Sequence, residues 1–306
     1  MFADATAALL HALAALVASL PWRWLYRAGD GIAATWRALD ARESRVARRN
    51  LELALPELPT DERDRLQREV LRTSARQALE TLCFWTRSHA RNLALITELQ
   101  GTDLFDAALA SGRGVIVAAP HYGNWELLNQ WLAMRTPLAI LYRAPESPIG
   151  EAFLQRVRAD RGDRVTQVRA EGPAVRQLFK RLKDGGVVGI LPDQQPKAGD
   201  GEFAPFFGVP ALTMTLLSRL AARSGAVVLF AYCERIDWSP RFRLCIEAAP
   251  DAIAASDPAI GVAALNATVE RIARRDPTQY QWTYKRYTLQ PPGSVVDNPY
   301  RDLERH

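Results

Sequence analysis

The sequence predicts an α/β protein with a mixed sheet flanked by helices, preceded by a helical, membrane-associated N-terminal region. Three observations carry this. Residues 114–119, Gly-Val-Ile-Val-Ala-Ala, form an unbroken run of small and β-branched apolar residues ahead of Pro120, as in a strand buried on both faces. From residue 112 onward, strand-like and helix-like segments alternate. Before residue 101 the readable periodicity is helical, and with 306 residues one large α/β domain with a helical extension fits better than two average domains.

In chain order, residues 5–20 are an apolar run interrupted by His11 and followed by Pro21-Trp22-Arg23-Trp24-Leu25-Tyr26-Arg27. The run falls short of the roughly 20 residues that cross a bilayer unless the aromatic stretch is included. Aromatic rings beside arginines suit a membrane interface, so 1–27 is expected to be a membrane anchor, spanning or interfacial, with a buried core helix as the alternative. Residues 36–50 make a basic helix carrying Arg37, Arg42, Arg45, Arg48 and Arg49, fit for anionic headgroups or for solvent. After Pro56 and Pro59, residues 61–85 form a long packing helix with Leu66, Val70, Leu71, Ala78 and Leu82 as its apolar positions. Residues 28–100 are therefore the helical part of the domain, and 101–290 its α/β part. Strands are expected at 114–119, 137–142, 187–191, 226–233 and 241–247, and helices at 125–134, 148–160, 173–184, 211–223 and 259–275. The Pro-rich, polar tail 291–306 is expected to hang loosely.

The chemistry concentrates where the first of these strands ends. His121 stands at its carboxyl end, Gly123 permits an unusual backbone angle, Asn124 is a good N-cap, and Glu126 falls in the first turn of the next helix. A carboxylate that accepts from one imidazole nitrogen fixes the tautomer and leaves the other nitrogen free to take a proton, so His121 with Glu126 can form a general base. The spacing equally suits a structural histidine satisfied at a strand end. Arg143 follows another strand, on the same rim if both strands are parallel, where a guanidinium can grip a phosphate bidentately; a surface loop arginine is the alternative. Asp193 and Gln194 occupy a third rim position, with Phe203–Gly208 as a candidate wall for an acyl chain or simply a loop closing the sheet. Lys285 and Arg286 end an alternating segment, 279–287, that reads as a strand or extended stretch.

The run His121-Tyr122-Gly123-Asn124-Trp125-Glu126 resembles the His-four-residues-acid signature of glycerolipid-type acyltransferases, in the form found in the late acyltransferases of lipid A biosynthesis. Further matches are Ala47-Arg48-Arg49-Asn50-Leu51, Leu141-Tyr142-Arg143, Ile190-Leu191-Pro192-Asp193-Gln194, Pro205-Phe206-Phe207-Gly208 and Gln279-Tyr280-Gln281-Trp282, in the family's order over residues 20 to 290. The resemblance implies an acyltransferase-like fold. It implies a fatty acyl chain moving from acyl carrier protein to a hydroxyl of a glycolipid, a lipid A precursor, at the cytoplasmic face of the inner membrane. It also implies His121 and Glu126 as catalytic residues, with Arg143, Asp193, Gln194, Lys285 and Arg286 binding substrate. No cofactor and no metal are implied. One departure is Ser147, where the family usually has Asn. Transfer to another lipid, such as an aminoacyl lipid or lysophospholipid, and a thioesterase using the same dyad are the alternatives, with a catalytically silent membrane scaffold as a third.

Composition narrows the field further. A net charge of +5 and pI near 9.3 suit an anionic membrane or substrate and suit plain solubility as well. Cys83, Cys233 and Cys245 lack paired spacing, so neither a disulfide framework nor a metal site follows and a reducing compartment is the default. There is no Gly-x-Ser-x-Gly elbow and no Walker or dinucleotide fingerprint. The basic stretch 156–183 has Phe179 as its lone aromatic, which argues against nucleic-acid binding.

Overall fold

The structure of the protein is a computed structural model, which describes residues 2–142, 147–158, 164–169, 173–295 and 297–304. Among these residues the N-terminal part is all helix: α1 (Phe2–Ala18), α2 (Trp22–Ala38), α3 (Arg42–Ala54), α4 (Thr60–Thr86) and the short α5 (His89–Leu93). The expected basic helix over 36–50 is broken at Asp40, whose φ of 43° is left-handed, so that α2 ends and α3 begins there. The arginines of α3 have partners within the chain, with Arg42 and Arg48 still exposed. Arg48 pairs with Asp40 at 3.0 Å, Arg49 with Asp302 at 2.8 Å, and Arg45 donates to the Asp40 carbonyl at 2.6 Å.

The α/β part opens with two elements that sequence periodicity missed, β1 (Ile96–Gln100) and α6 (Thr102–Ala110). Then follow β2 (Val115–Ala118), α7 (Trp125–Arg135), β3 (Leu138–Tyr142), α8 (Pro148–Arg158), β4 (Val165–Arg169), α9 (Pro173–Lys183) and β5 (Val187–Ile190). Where a helix over 211–223 was expected, a hairpin of β6 (Gly201–Phe206) and β7 (Val209–Met214) precedes the shorter α10 (Leu216–Ser224). The hairpin turns on Phe207 and Gly208, both with positive φ, which is the two-residue geometry that matches strand twist. Phe206 and Phe207 are buried against Tyr280 and Trp282, so they fill the core and do not wall an open channel. β8 (Val227–Arg235), β9 (Phe242–Ala248) and α11 (Pro258–Ala273) complete the domain.

The main sheet has seven strands in the order β1-β9-β8-β2-β5-β3-β4. β8, β2, β5, β3 and β4 are mutually parallel, and β9 runs antiparallel to β8 with β1 parallel to β9, which makes the sheet mixed as expected. β2 and β5 sit at its centre and are fully buried. Their alternate side chains enter two cores: Ile116, Val188 and Ile190 pack with α9, α10 and α11, and Val115, Val117 and Val187 pack with α6 and α7. The chain leaves β2 toward β3 and leaves β5 toward β8, in opposite directions. A crevice therefore opens at the carboxyl ends of these two strands.

Among the described residues no single helix is long and apolar enough to cross a membrane; α1 and α2 pass that test only together, and they meet at a bend of 110°. Leu9, Leu10, Leu13, Leu16 and Leu20 are exposed along α1 and the corner after it. Within the tail, residues 292–295 are exposed as expected, but the part around Tyr300 is docked. Tyr300 is fully buried, its hydroxyl donating to Asn50 Oδ1 and accepting from the Tyr287 N–H, and Asp302 pairs with Arg49. The sequence did not disclose this anchor because a single aromatic, rather than a periodic pattern, secures it.

Candidate active site

Parallel register builds the site. Ala118 of β2 faces Ile190 of β5, and the ladder continues with Ala119 N–H donating to the Ile190 carbonyl at 2.9 Å. Three residues beyond each of these positions come His121 and Asp193, side by side. The Asp193 carboxylate clamps the histidine twice: Oδ2 accepts the His121 backbone N–H at 2.8 Å, and Oδ1 lies 2.7 Å from Nδ1. The carboxylate on Nδ1 is thus Asp193, and not the Glu126 that the five-residue spacing suggested.

Burial pushes the Asp193 carboxyl upward, but electrostatic attraction to the His121 ring and the two hydrogen bonds from His121 outweigh it and hold the group below the usual carboxylate range. With Asp193 ionised, Nδ1 is the ring's donor and Nε2 its acceptor. Nε2 lies 3.1 Å from Nε2 of Gln194, and the same amide nitrogen donates to Gln281 Oε1 at 3.0 Å. Gln281 is fixed in turn by its backbone N–H, which donates to the His121 carbonyl at 3.0 Å. The edge of Trp125 closes one side of the imidazole, with centroids 4.8 Å apart.

The turn between β2 and α7 leaves no room for another shape. Gly123 has φ +62°, and a Cβ there would stand 2.0 Å from the Cys233 carbonyl oxygen. Gly123 N–H donates to the Gln279 carbonyl at 3.1 Å and Asn124 N–H to that of Cys233 at 2.8 Å. Asn124 caps α7 as its sequence position predicts, its Oδ1 accepting from Leu127 N–H at 3.3 Å. Glu126 is buried in the first turn of α7, where the helix dipole favours a carboxylate.

The other residues that the sequence singled out scatter. Arg143 lies outside the described residues. Gln194 joins His121 directly. Lys285 is half-buried with its ammonium 6.0 Å from the Tyr300 ring. Arg286 is 3% exposed, and its guanidinium is committed to the Leu212 carbonyl and the Thr213 hydroxyl. It therefore presents no cation to a surface phosphate or protein; it borders instead, with Asp193, Gln194, Asn50 and Tyr280, a water-sized cavity. The segment 279–287 is not a strand: a 3-10 turn over Pro277–Gln279 and one bridge between Tyr280 and Tyr122 replace it. Gln281 was missed as a site residue because its motif gave no hint of which side chain turns inward.

Cysteine chemistry does not compete with the histidine. All three thiols are free and buried, and burial pushes Cys83 and Cys245 up to about 11 and Cys233 higher still, so none offers a thiolate near neutral pH. Among the described residues no group of three or more His, Cys, Asp or Glu side chains could hold a metal ion. What the arrangement offers is a histidine base whose orienting carboxylate and neighbouring amide donor are both fixed.

Comparison with known proteins agrees with this chemistry. The chain matches the family described as bacterial lipid A biosynthesis acyltransferase over residues 3–288. It is 29% identical over 281 residues to a lipid A biosynthesis palmitoleoyltransferase of Escherichia coli (strain K12), covering 90% of this chain and 88% of that protein. It is 26% identical over 279 residues to a lipid A biosynthesis lauroyltransferase of the same organism, covering 91% and 90%. It is also 30% identical over 191 residues to a phosphatidylinositol mannoside acyltransferase of Mycobacterium tuberculosis (strain CDC 1551 / Oshkosh), covering 61% and 60%.

Proposed function

Since the chain belongs to the family of bacterial lipid A biosynthesis acyltransferases, we propose that it transfers a fatty acyl group from the thioester of acyl carrier protein to a hydroxyl of a lipid A precursor, with His121 as general base. The observation that carries this is the Asp193 carboxylate at 2.7 Å from Nδ1, which makes Nε2 of His121 the ring's acceptor, a position held by the Gln194 amide at 3.1 Å until a substrate hydroxyl takes its place. The acceptor hydroxyl gives its proton to Nε2 as its oxygen bonds to the thioester carbonyl carbon. The carbonyl π electrons move onto oxygen, and the Gln194 N–H that the entering hydroxyl displaces from Nε2 becomes a donor for that oxyanion while Gln281 holds the other. Collapse breaks the carbon–sulfur bond, and the carrier thiol leaves with the proton returned from His121. Asp193 stabilises the imidazolium between these steps. A thioester is already activated, so alignment and one proton shuttle suffice.

We place this reaction at the cytoplasmic face of the inner membrane, seated through α1 and α2. The exposed leucines of α1 form an apolar face, and Trp24 beside the corner carries the guanidinium groups of Arg23 and Arg27 at 5.8 and 5.0 Å from its ring. A helix with leucines below and a Trp-Arg collar at the headgroup level lies in the interface plane.

The mycobacterial relative supports one variation, an acceptor that is a different phosphorylated glycolipid. A single assay separates the possibilities. The protein is incubated with acyl carrier protein bearing a labelled acyl chain, alone, with an underacylated lipid A precursor, or with a phosphatidylinositol mannoside. Label passing to the lipid A precursor supports the proposal; label on the mannoside alone moves the acceptor; free fatty acid without acceptor makes the protein a thioesterase; no consumption of thioester contradicts the enzyme assignment.

A further inference from the structure

Behind the turn that carries His121 lies a buried ion pair. Glu80, well inside α4, is 0% exposed, and Arg235, the last residue of β8, is 8% exposed. Nε and Nη2 of Arg235 reach the two Glu80 oxygens at 3.0 and 2.6 Å. The Tyr26 hydroxyl of α2 donates to Oε1 at 2.7 Å, and Nδ2 of Asn124 donates to Oε2 at 3.3 Å. The backbone of Arg235 is locked to the opposite wall: its main-chain N–H donates to Gln279 Oε1 at 2.7 Å, and Gln279 Nε2 donates to the Arg235 carbonyl at 2.9 Å. The carbonyl of that same Gln279 receives the Gly123 N–H.

Of the two residues that turn the chain from β2 into α7, Asn124 is thus held by the pair itself through Glu80, and Gly123 by Gln279, which grips the backbone of Arg235 where the pair anchors that strand end. A buried ion pair contributes little net stability beyond apolar residues of the same volume, because desolvation offsets the attraction. What apolar residues cannot copy is direction. We infer that Glu80 and Arg235 are positioning residues for His121, fixing the turn so that Nε2 meets the acceptor hydroxyl in line with the thioester. No substrate touches them. Burial opposes the charge of Arg235, yet the Glu80 carboxylate outweighs it and raises the affinity of the guanidinium for its proton, so Arg235 stays charged.

The inference rests on His121 as the base, and the test keeps the two apart. Tyr26→Phe/Glu80→Met/Arg235→Met replaces the hydroxyl and both charges by apolar groups of similar volume. It is assayed with acylated carrier protein and an underacylated lipid A precursor in mixed micelles, beside His121→Ala. The expected result is a cooperatively folded protein whose KM values stay within about threefold while kcat falls about 10²-fold, the cost of misplacing a catalytic group by roughly an ångström. Parental kcat in the folded triple variant, with His121→Ala inactive, overturns the positioning role alone. Transfer by folded His121→Ala overturns the base assignment instead. If the triple variant does not fold, Asn124→Ser decides: it keeps a capping oxygen for α7 but cannot reach Glu80. A fall in its kcat at unchanged KM supports the inference, and parental kcat overturns it.

Discussion

The nitrogen of His121 that accepts decides what the site can do, and Asp193, by taking Nδ1–H, makes it Nε2. Asp193→Asn keeps the shape but removes the charge that favours imidazolium and fixes the tautomer, so kcat is expected to fall about 10² to 10⁴-fold. Glu126→Gln is expected to cost less than about tenfold on the same scale. Steady-state kinetics of the two variants check the order, and the reverse order would return the orienting role to Glu126. Acid stability carries a second signature. The folded Asp193 carboxyl titrates below its unfolded value near 3.9, so its contribution is present above that value and is lost as pH falls through the lower, folded one. Urea unfolding below about pH 4 should show a steeper loss in the parent than in Asp193→Asn, by up to about 1.4 kcal/mol per pH unit; parallel curves would contradict the linkage. At this scale the sequence disclosed His121 through the strand that ends beside it, and Asp193 and Gln194 as rim residues. It did not disclose that 121 and 193 are neighbours, because that depends on β2 pairing with β5 in register, a contact between segments about 70 residues apart. Glu80 and Arg235 were hidden for the same reason: a charged residue in a helix or at a strand end reads as solvent-facing until its distant partner is known.

Elements with strong local patterns were legible and elements built from tertiary contacts were not. β2, β3, β5, β8 and β9 are runs of apolar residues and fell where expected to within two residues at each end. β1, with its largely exposed Ile-Thr-Glu-Leu-Gln, has no such run and is held by pairing with β9. The β6–β7 hairpin was read as loop and helix because its turn, Phe207-Gly208, hides a positive φ in an aromatic. The tail gives an element-scale prediction. Tyr300 fills a core position and holds Asn50, whose Nδ2 donates to the Trp282 and Tyr284 carbonyls at 2.6 and 2.8 Å, so it supports the wall that carries Gln281. Tyr300→Ala is expected to cost about 3–5 kcal/mol in urea unfolding, as large-to-small changes of buried aromatics do. A loss under about 1 kcal/mol would mean that the tail is not anchored there.

For the molecule as a whole, the proposed reaction asks the apolar face of α1 and the histidine crevice to serve one transfer between a soluble carrier and a lipid. If α1 lies in the interface, Leu13→Glu/Leu16→Glu should lower partition onto anionic vesicles at least tenfold, since each fully buried leucine contributes about 1.5–3 kcal/mol. Unchanged partition would assign that face to another partner. The most direct measurement of the central claim is single-turnover acyl transfer by His121→Ala, its folding verified by circular dichroism and thermal unfolding. Removal of a positioned base is expected to slow transfer to the lipid acceptor about 10² to 10⁴-fold, with the unfolding temperature close to that of the parent. A folded His121→Ala protein that transfers the acyl chain at the parental rate would contradict it.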